Sequence, residues 1–434
     1  MRRIPRIAVD VSALRESRDF RLLTAGSLIT GLGTQATLVA LPYQVFVLTN
    51  SAFLTGLIGA AEIVPLVVAS LFGGALADRF DRRDLLLACQ IALVALAAAL
   101  AIAAFTGPPP VWILFVLAAA MAGAAAVERV VRAAIVPNVV RPERLRAAIS
   151  LTFGLYQLTQ VVGPGLGGLL IAGFGIGVPY TVDAVSCFGM ALAAAAMSAQ
   201  PAHAVAEHEP VLRSIRSGLT FVRRLKALMG SFVIDLSAMT FGMPRALFPV
   251  LALTVYHAGA AGTGLLFAAV AAGSTVAALT TGWLINARYL GRIVLAAVAA
   301  WGTFIAAAGL VNSIWPAAAL FALAGAADSV SAVCRSTISQ TLTPDRMRGR
   351  MSSVFSLVVA GGPRLGDVES GTVAALTSPA FSVVSGGLAC LASVGLIAAA
   401  YPQLAAYDGD RVGAGEVGVD LELEAKKVEA AELS

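Results

Sequence analysis

Four acidic side chains lie deep inside long apolar stretches of the sequence, where a charge is difficult to keep. They are Glu62, Glu128, Asp235 and Asp328. A charged side chain at the centre of a bilayer costs at least about 2.5–3.5 kcal/mol, so such a group faces a cavity, pairs with a cation or binds a proton. A carboxyl group that is kept from water can accept a proton near neutral pH. These residues therefore predict proton binding that is coupled to the movement of another solute.

Arginines in the same stretches limit which carboxyl groups are available for a proton. Helical spacing puts three acid–arginine pairs on a common helix face; they are Glu128 with Arg132, Arg364 with Asp367, and Asp328 with Arg335. Glu62 and Asp235 have no cation on a neighbouring turn, although Arg245 could reach across. Asp235 and Glu62 are therefore the leading proton-site candidates, followed by Asp328 and Glu128. Structural ion pairing is the alternative for each of them.

These residues belong to a chain that is too apolar for a soluble protein of its length. Hydrophobic residues make up 58% of the 434 residues and charged residues 13%, whereas average usage includes about 25% charged residues. Twelve apolar stretches each reach the length of about 20 residues that a membrane-spanning helix needs. They lie at roughly 22–48, 54–77, 84–107, 110–137, 146–174, 178–199, 228–257, 261–286, 290–312, 314–340, 350–376 and 379–402. We therefore expect an all-α membrane protein with twelve transmembrane helices.

The distribution of arginine and lysine predicts the orientation in the membrane. These residues occur in the N-terminal segment, in the tail and in the connections after spans 2, 4, 6, 8 and 10, and they are absent from the other connections. Since Arg-rich and Lys-rich loops stay on the cytoplasmic side, both termini are expected to be cytoplasmic. The prediction is a multi-pass protein of the cytoplasmic (inner) membrane.

Three short sequence patterns occur twice, about 200 residues apart and in the same order. The similar segments are 74–78 and 282–286, 142–146 and 344–348, and 163–168 and 362–367. The repeat predicts two halves of six spans each. Because six is an even number, both halves enter the membrane from the same side, which makes the repeat parallel.

The repeat and the charge pattern together predict four regions. They are a six-helix half at 1–199, a cytoplasmic linker at 200–227, a second six-helix half at 228–402 and an acidic cytoplasmic tail at 403–434. In the linker an apolar stripe at helical spacing predicts an amphipathic helix on the inner membrane surface; its members are Leu212, Ile215, Leu219 and Val222. A basic connector without fixed structure is the alternative. In the tail we expect a short helix around 421–433.

A short charged loop lies between the second and third apolar stretches. It matches the pattern G-x-L-A-D-R-x-G-R-[RK], with Asp81 where the pattern has glycine; the matching residues are Gly74, Leu76, Ala77, Asp78, Arg79, Arg82 and Arg83. The loop resembles the one between helices 2 and 3 of the major facilitator superfamily. Its acidic variant is similar to the branch of enterobactin exporters and related secretion effectors. The resemblance covers all twelve spans.

The resemblance implies that the charged loop takes part in a conformational gate. In the superfamily the acid at the end of helix 2 contacts the start of helix 11, where Arg348 and Arg350 are the cations of this chain. An ion pair worth about 1–3 kcal/mol can bias two conformations and still break in each transport cycle. The gate residues implied are Gly74, Asp78, Arg79, Arg82, Arg83, Arg348 and Arg350.

The fifth apolar stretch carries a glycine motif. Its core is Gly163, Pro164, Gly167 and Gly168, which is similar to the G-P-x-x-G-G core of a motif typical of antiporter-type exporters in the superfamily. The match is partial, because Ser150 and Thr159 stand where the longer motif has glycine. Ordinary close packing of helices through small residues is the alternative. The motif favours export.

The major facilitator fold also implies where a substrate binds, because helices 1, 4, 7 and 10 line its central cavity. The polar candidates on spans 1 and 7 are Thr34, Gln35, Gln44, Thr240 and Arg245. An arginine in a mostly apolar cavity would suit an anionic or catecholate-like molecule.

Together these features predict a secondary active transporter that exports a small amphiphilic molecule, siderophore-like or drug-like, by proton antiport through alternating access. The alternatives are a metabolite importer or uniporter, and a non-transporting membrane sensor or scaffold. The sequence has neither a G-x-x-x-x-G-K-[ST] nor a G-x-S-x-G motif, so an enzyme is not expected. We expect a monomer whose partners are the substrate, protons and the lipid bilayer, without cofactor, metal or nucleic acid.

Overall fold

The computed structural model describes residues 12–201, 211–344 and 347–408. These residues form helices and short connections, with no β-strand among them. Long helices lie at all of the predicted span positions. In chain order they are α1 (Arg18–Thr49), α2 (Ala52–Arg79), α3 (Arg82–Phe105), α4 (Val111–Val139), α5 (Leu145–Phe174), α6 (Gly177–Ala195), α7 (Lys226–Phe241, continued by Phe248–Thr254), α8 (Gly259–Thr280), α9 (Leu290–Ala308), α10 (Ile314–Thr341), α11 (Arg348–Leu376) and α12 (Pro379–Ala400).

Ten helical segments in the described ranges are long and apolar enough to cross a membrane. The two long helices outside this group are α5 and α11. Glycine and polar residues lower the hydropathy of α5, and α11 carries three arginines and two acidic residues. The predicted all-α membrane fold is confirmed, and the helix positions are consistent with twelve spans.

The helices group into two compact units. One contains residues up to Gln44 together with Val64–Val205, and the other contains Val45–Ile63 together with residues from Ala206 onward. Inside the first unit α3 packs against α4 and α6, and inside the second unit α9 packs against α10 and α12. The same helix pairs, six positions apart, are in contact in each unit. This repetition agrees with the two parallel six-helix repeats predicted from the sequence.

The core of the first unit lies where α1, α3, α4 and α6 meet. Phe20, Leu86, Ile135 and Met190 are fully buried there, one from each of these helices. Close packing of this kind leaves few voids and resists displacement of single side chains. The cluster therefore provides a rigid base for the charged loop between α2 and α3.

A helix at Val211–Arg224 occupies the predicted linker position and packs against α11. Gly218 allows this approach, because a Cβ atom there would lie 2.7 Å from the carbonyl oxygen of Arg350. The linker helix is thus held by protein contacts on one side.

The buried face of the linker helix is rotated from the predicted stripe. Phe221 and Val222 are buried, whereas Leu219 is exposed. The side chains of Leu212 and Ile215 lie outside the described part of the chain, as do residues 202–210 and the tail segment in which a short helix was expected. The contact with α11 explains the rotation, because it buries the face of the linker helix that carries Gly218.

The glycine motif of α5 lies against α1. A Cβ atom at Gly163 would lie 2.5 Å from Cβ of Gln35, and one at Gly167 would lie 2.8 Å from Cα of Ala36. Both distances are too short for a real Cβ atom. The two helices can therefore approach this closely only because glycine has no side chain. Small residues allow this packing in membranes, where the hydrophobic effect does not press helices together.

We expect Gly167→Ala to destabilise the protein by about 1–3 kcal/mol, because the added methyl group would push against the backbone of α1. Thermal unfolding in detergent measures the change. The matched control is Gly154→Ala on the same helix, where a Cβ atom meets no described atom within 4 Å. Better helix propensity should leave Gly154→Ala neutral or slightly stabilised. Equal melting temperatures for the two variants would contradict this account of the motif.

Candidate proton and substrate site

The seventh membrane segment is interrupted, and the interruption brings an arginine next to buried acids. After α7 ends at Phe241, Gly242 and Pro244 precede a short 3-10 turn at Arg245–Leu247. Gly242 and Pro244 together favour a break here, because glycine is a poor helix former and proline has no N–H to donate. Arg245 lies in the turn that results.

Neighbouring helices bind the backbone groups that the break exposes. The N–H of Ala246 donates to Oδ1 of Asp367 on α11 over 3.1 Å, and Nε1 of Trp301 on α9 donates to the carbonyl oxygen of Gly242 over 2.9 Å. Backbone polar groups at membrane depth require such partners, because lipid supplies none. Asp367 therefore acts as a cap of the broken helix. Thr240 lies beside the same contact, since a Cβ atom at Gly366 would be 3.0 Å from its carbonyl oxygen.

One arginine in the second unit is shared by two carboxyl groups, of which Asp235 is buried and Asp328 is partly exposed. Nη2 of Arg335 lies 2.8 Å from Oδ1 of Asp235 and 3.8 Å from Oδ1 of Asp328. The side chains of Arg335 and Asp235 are only 6% and 3% exposed. Ser331, one turn earlier on α10, accepts a further hydrogen bond from Arg335 over 3.1 Å. Spacing along α10 predicted that Asp328 and Arg335 share a face, but the shorter bond joins Arg335 to α7.

A small cavity of about 20 Å³ lies beside this group. Residues of the α7 break, including Arg245, line it together with side chains from four other helical segments. These side chains include Phe248, Trp301, Phe321 and Asp328. Nε of Arg245 and Oδ1 of Asp328 are buried there without a hydrogen bond to the described chain. A space of this size holds about one water molecule. The substrate candidate Arg245 and the proton candidate Asp328 thus line the same cavity.

Glu62 has a cation on another helix, which its own sequence neighbourhood did not indicate. Its Oε2 lies 3.2 Å from Nη2 of Arg364 on α11. Glycine makes the contact between α2 and α11 possible, because a Cβ atom at Gly59 would lie 2.8 Å from the carbonyl oxygen of Arg364. Sequence spacing paired Arg364 with Asp367, whereas the structure gives each of them a partner from another segment.

In the first unit the predicted pair of Glu128 and Arg132 is present. Nε of Arg132 lies 3.4 Å from Oε1 of Glu128, and Nε2 of Gln90 on α3 donates to the same oxygen over 3.4 Å. Glu128 is therefore neutralised by a residue of its own helix.

The polar residues predicted on α1 are bound to α5 and α6. Thr34 donates a hydrogen bond to Asp183 on α6 over 3.2 Å, and Gln44 accepts one from the hydroxyl of Tyr180 over 2.7 Å. Gln35 packs against the glycine motif of α5, as described above. These contacts give Thr34, Gln35 and Gln44 a role in holding α1 in place.

Sequence reasoning missed Asp183, which is completely buried. Span 6 contains no other Asp, Glu, Lys or Arg between Gly177 and Ala195, and an isolated acid in such a span is the signal that could have identified it.

The charged loop is organised by Asp81, the residue that replaces glycine in the family pattern. Its side chain caps α3 by accepting the N–H of Arg83 over 2.9 Å, and it also accepts the N–H of Gln200 over 3.1 Å. The backbone of Asp81 has φ −56°, so the turn does not need glycine. The substitution therefore adds a helix cap and a tie to the end of the first unit.

The loop arginines bind the carboxyl ends of two helices. Arg82 donates to the carbonyl oxygen of Ala134 on α4 over 3.1 Å, and Arg83 donates to that of Ala195 on α6 over 2.8 Å. Cations are favoured towards the carboxyl end of a helix, where the helix dipole is negative. Oδ1 of Asp78 lies 3.8 Å from Nη2 of Arg82.

The remaining predicted gate residues have varied surroundings. Arg79 lies over the ring of Phe80, 5.8 Å from its centre, and a Cβ atom at Gly74 would meet nothing within 4 Å in the described chain. Arg350 lies in the first turn of α11, and the side chain of Arg348 is outside the described part.

Comparison with known proteins identifies the family. A model of the transmembrane secretion effector family matches residues 10–423. The chain belongs to this family. A similar protein is the enterobactin exporter EntS of Salmonella paratyphi A, 28% identical over 405 residues that cover 90% of this chain and 93% of the relative. The enterobactin exporter EntS of Citrobacter koseri is 29% identical over the same length and shares of both chains.

Solved transporter structures share the fold of this secretion effector protein. A POT family transporter in complex with 5-aminolevulinic acid has a TM-score of 0.71 at 12% identity, covering 89% of this chain and 97% of its own. A bacterial homologue of the iron transporter ferroportin has a TM-score of 0.64 at 16% identity, covering 89% and 98%. At these identities the likeness shows the fold alone. The secretion effector protein is a multi-pass membrane transporter of the major facilitator superfamily, and not an enzyme.

Arg335→Gln should lower the stability of the secretion effector protein by about 3–5 kcal/mol, because the change leaves buried carboxylates without their cation. Thermal unfolding in detergent measures the loss. The double variant Asp235→Asn with Arg335→Gln should recover part of it, since Asp235 is then no longer charged. Arg144→Gln is the control, because Arg144 pairs with Glu16 at an exposed position and such pairs are worth about 0–1 kcal/mol. Equal losses for Arg335→Gln and Arg144→Gln would contradict the assignment.

Asp81→Ala should destabilise the protein by about 0.5–2 kcal/mol through loss of the α3 cap. Asp81→Asn keeps an oxygen that can accept the same N–H groups and should stay close to the wild type. Chemical or thermal unfolding of the two variants, compared side by side, tests the role of Asp81. A larger loss in Asp81→Asn than in Asp81→Ala would show that charge, and not capping, is what the loop requires.

Proposed function

We propose that the secretion effector protein exports a small amphiphilic molecule by proton antiport through alternating access. The observation that carries the proposal is the sharing of Arg335 between Asp235 and Asp328. Together with the neighbouring groups, four carboxyl groups meet three guanidinium groups, which leaves one negative charge in the membrane segments; the groups are Glu62, Asp235, Asp328 and Asp367, and Arg245, Arg335 and Arg364. Since an uncompensated charge at that depth is costly, the group has room for one proton.

The two distances suggest which acid takes the proton. Asp235 is the closer partner of Arg335, at 2.8 Å against 3.8 Å for Asp328. A carboxylate with the weaker ion pair accepts a proton more readily. We therefore propose that Asp328 binds the proton while Asp235 holds Arg335 in place, and that Asp235 is required for this arrangement.

The position of Asp328 links the proton to the substrate. It lines the same cavity as Arg245, so an ionised Asp328 can accept a hydrogen bond from a hydroxyl or catechol group of a substrate that reaches it. A proton that enters from outside neutralises this acceptor, which weakens the hold on the substrate, and the proton gradient then drives release. This competition is the physical basis of antiport in the proposal.

The proposed substrate class is siderophore-like or drug-like. Arg245, which is only partly buried, supplies a cation for an acidic or catecholate-like group. The relatives named enterobactin exporters support the same class.

The proposed location is the cytoplasmic membrane, with both termini in the cytoplasm and a monomer as the working unit. The distribution of arginine along the chain supports the orientation.

Accumulation assays in an efflux-deficient host test the proposed function, with a panel of siderophores, macrolides and dyes. Expression of the wild type should lower the accumulation of one compound class, and a protonophore should abolish the effect. Asp235→Asn and Asp328→Asn should each reduce export at least tenfold, because a proton site is lost or misplaced. Asp84→Asn is the control, since Asp84 is an exposed acid in the first turn of α3.

Two results would count against the proposal. Export that continues in the presence of protonophore would argue for a carrier that is not coupled to protons. Unchanged accumulation across the panel, with the protein present in the membrane, would argue against export of these compound classes, and uptake would then be measured with the same compounds.

A further inference from the structure

Asp183 on α6 is held by a group of donors in the first unit. Its Oδ2 accepts a hydrogen bond from Thr37 over 2.7 Å, and its Oδ1 accepts one from Thr34 over 3.2 Å. The thiol of Cys187, one turn later, donates to Oδ1 over 3.6 Å. All of the donors are neutral. The carboxyl group itself is completely buried.

The helices around Asp183 bring no cation to it within the described chain. The buried face of α3 carries Cys89 and Gln90, and that of α5 carries Thr159 as its polar residue. On α1 the facing groups are hydroxyls. Glu128 on α4 is another acid near Cys187, and its charge is neutralised by Arg132.

The contrast with the four carboxyl groups predicted as proton sites is informative. Glu62, Glu128, Asp235 and Asp328 each have an arginine within 4 Å, whereas Asp183 has hydroxyl and thiol donors only. Removing an ionised carboxylate from water without a cation is costly. The hydrogen bonds from neutral donors offset only part of that cost. The surroundings of Asp183 therefore favour the binding of a proton more than an adjacent arginine would.

We propose that Asp183 is a second proton-binding residue of the transporter, located in the first unit and separate from the group around Arg335. In the protonated state one of its two oxygens carries a donor O–H and has fewer lone pairs to accept with, so the hydrogen bond from Thr34 or Thr37 at that oxygen weakens or reverses its direction. Proton binding therefore changes the contact between α1 and α6. Gly33 places the α1 backbone next to Asp183, where no larger residue would fit, so the change passes directly to α1.

The inference extends the proposed function by naming a proton site in the half of the molecule that lacks the shared arginine. Infrared spectroscopy of the purified protein tests it without a substrate, because a protonated carboxyl group has a carbonyl stretch that an ionised one lacks. Spectra are recorded as a function of pH for the wild type, Asp183→Asn, Asp235→Asn and Asp328→Asn. We expect a carbonyl band whose intensity changes with pH and that loses one component in Asp183→Asn.

Thr37→Val supplies a second test that keeps the carboxyl group. Removing the 2.7 Å donor destabilises the ionised form, so the protonated band should persist to higher pH by about one unit. Thr55→Val is the matched control, because Thr55 is also buried but donates only to the backbone oxygen of Ser51. It should leave the titration unchanged.

The outcomes separate this inference from the proposed function. A titrating component that is intact in Asp183→Asn, or a component lost there that does not change with pH, would overturn the role of Asp183. An unshifted titration in Thr37→Val would overturn it as well, and this test holds even where Asp183→Asn fails to fold. Loss of no component in Asp235→Asn and Asp328→Asn would instead argue against the group around Arg335 and leave Asp183 in place.

Discussion

The ion pair between Arg335 and Asp235 joins α10 to α7 at a depth where neither charge can reach water. Each charge depends on the other, because the protein interior and the surrounding lipid offer little solvation. Asp328 connects this pair to the break in the seventh segment. It lies 3.8 Å from Arg335 and also lines the cavity beside the break. Charges inside membrane segments must neutralise one another. The second unit meets this constraint by pairing Arg335 with Asp235.

The backbone N–H and carbonyl groups of the membrane segments impose a second constraint, because each of them needs a hydrogen-bond partner. Where Pro244 ends the regular helix, Asp367 and Trp301 take over the freed N–H and carbonyl groups. Asp367 is thereby committed to structure, although its sequence surroundings resemble those of the proton candidates. In the first unit the same logic applies at the loop, where Arg82 and Arg83 bind the carboxyl ends of α4 and α6.

The success of sequence reasoning depended on whether a contact lies within one helix. Glu128 and Arg132 are four residues apart, and helical periodicity alone was sufficient to pair them. Glu62 and Asp235 lack such neighbours, so the sequence could not show that Arg364 and Arg335 reach them from α11 and α10. Asp183 could be recognised as an isolated acid in an apolar span. Its donors Thr34 and Thr37 could not be recognised, because they come from a helix about 150 residues earlier.

The sequence by itself determined the all-α membrane class, the positions of the long helices, the repeat and the family. Apolar length, charge distribution and local motifs are properties of neighbouring residues, and lipid enforces them segment by segment. Only the tertiary structure decided which acid meets which arginine, which acid meets none, and which glycines carry helix contacts. Those outcomes depend on how helices from distant parts of the chain face one another, and a side chain's partner across two helices leaves no periodic trace in the sequence of either one.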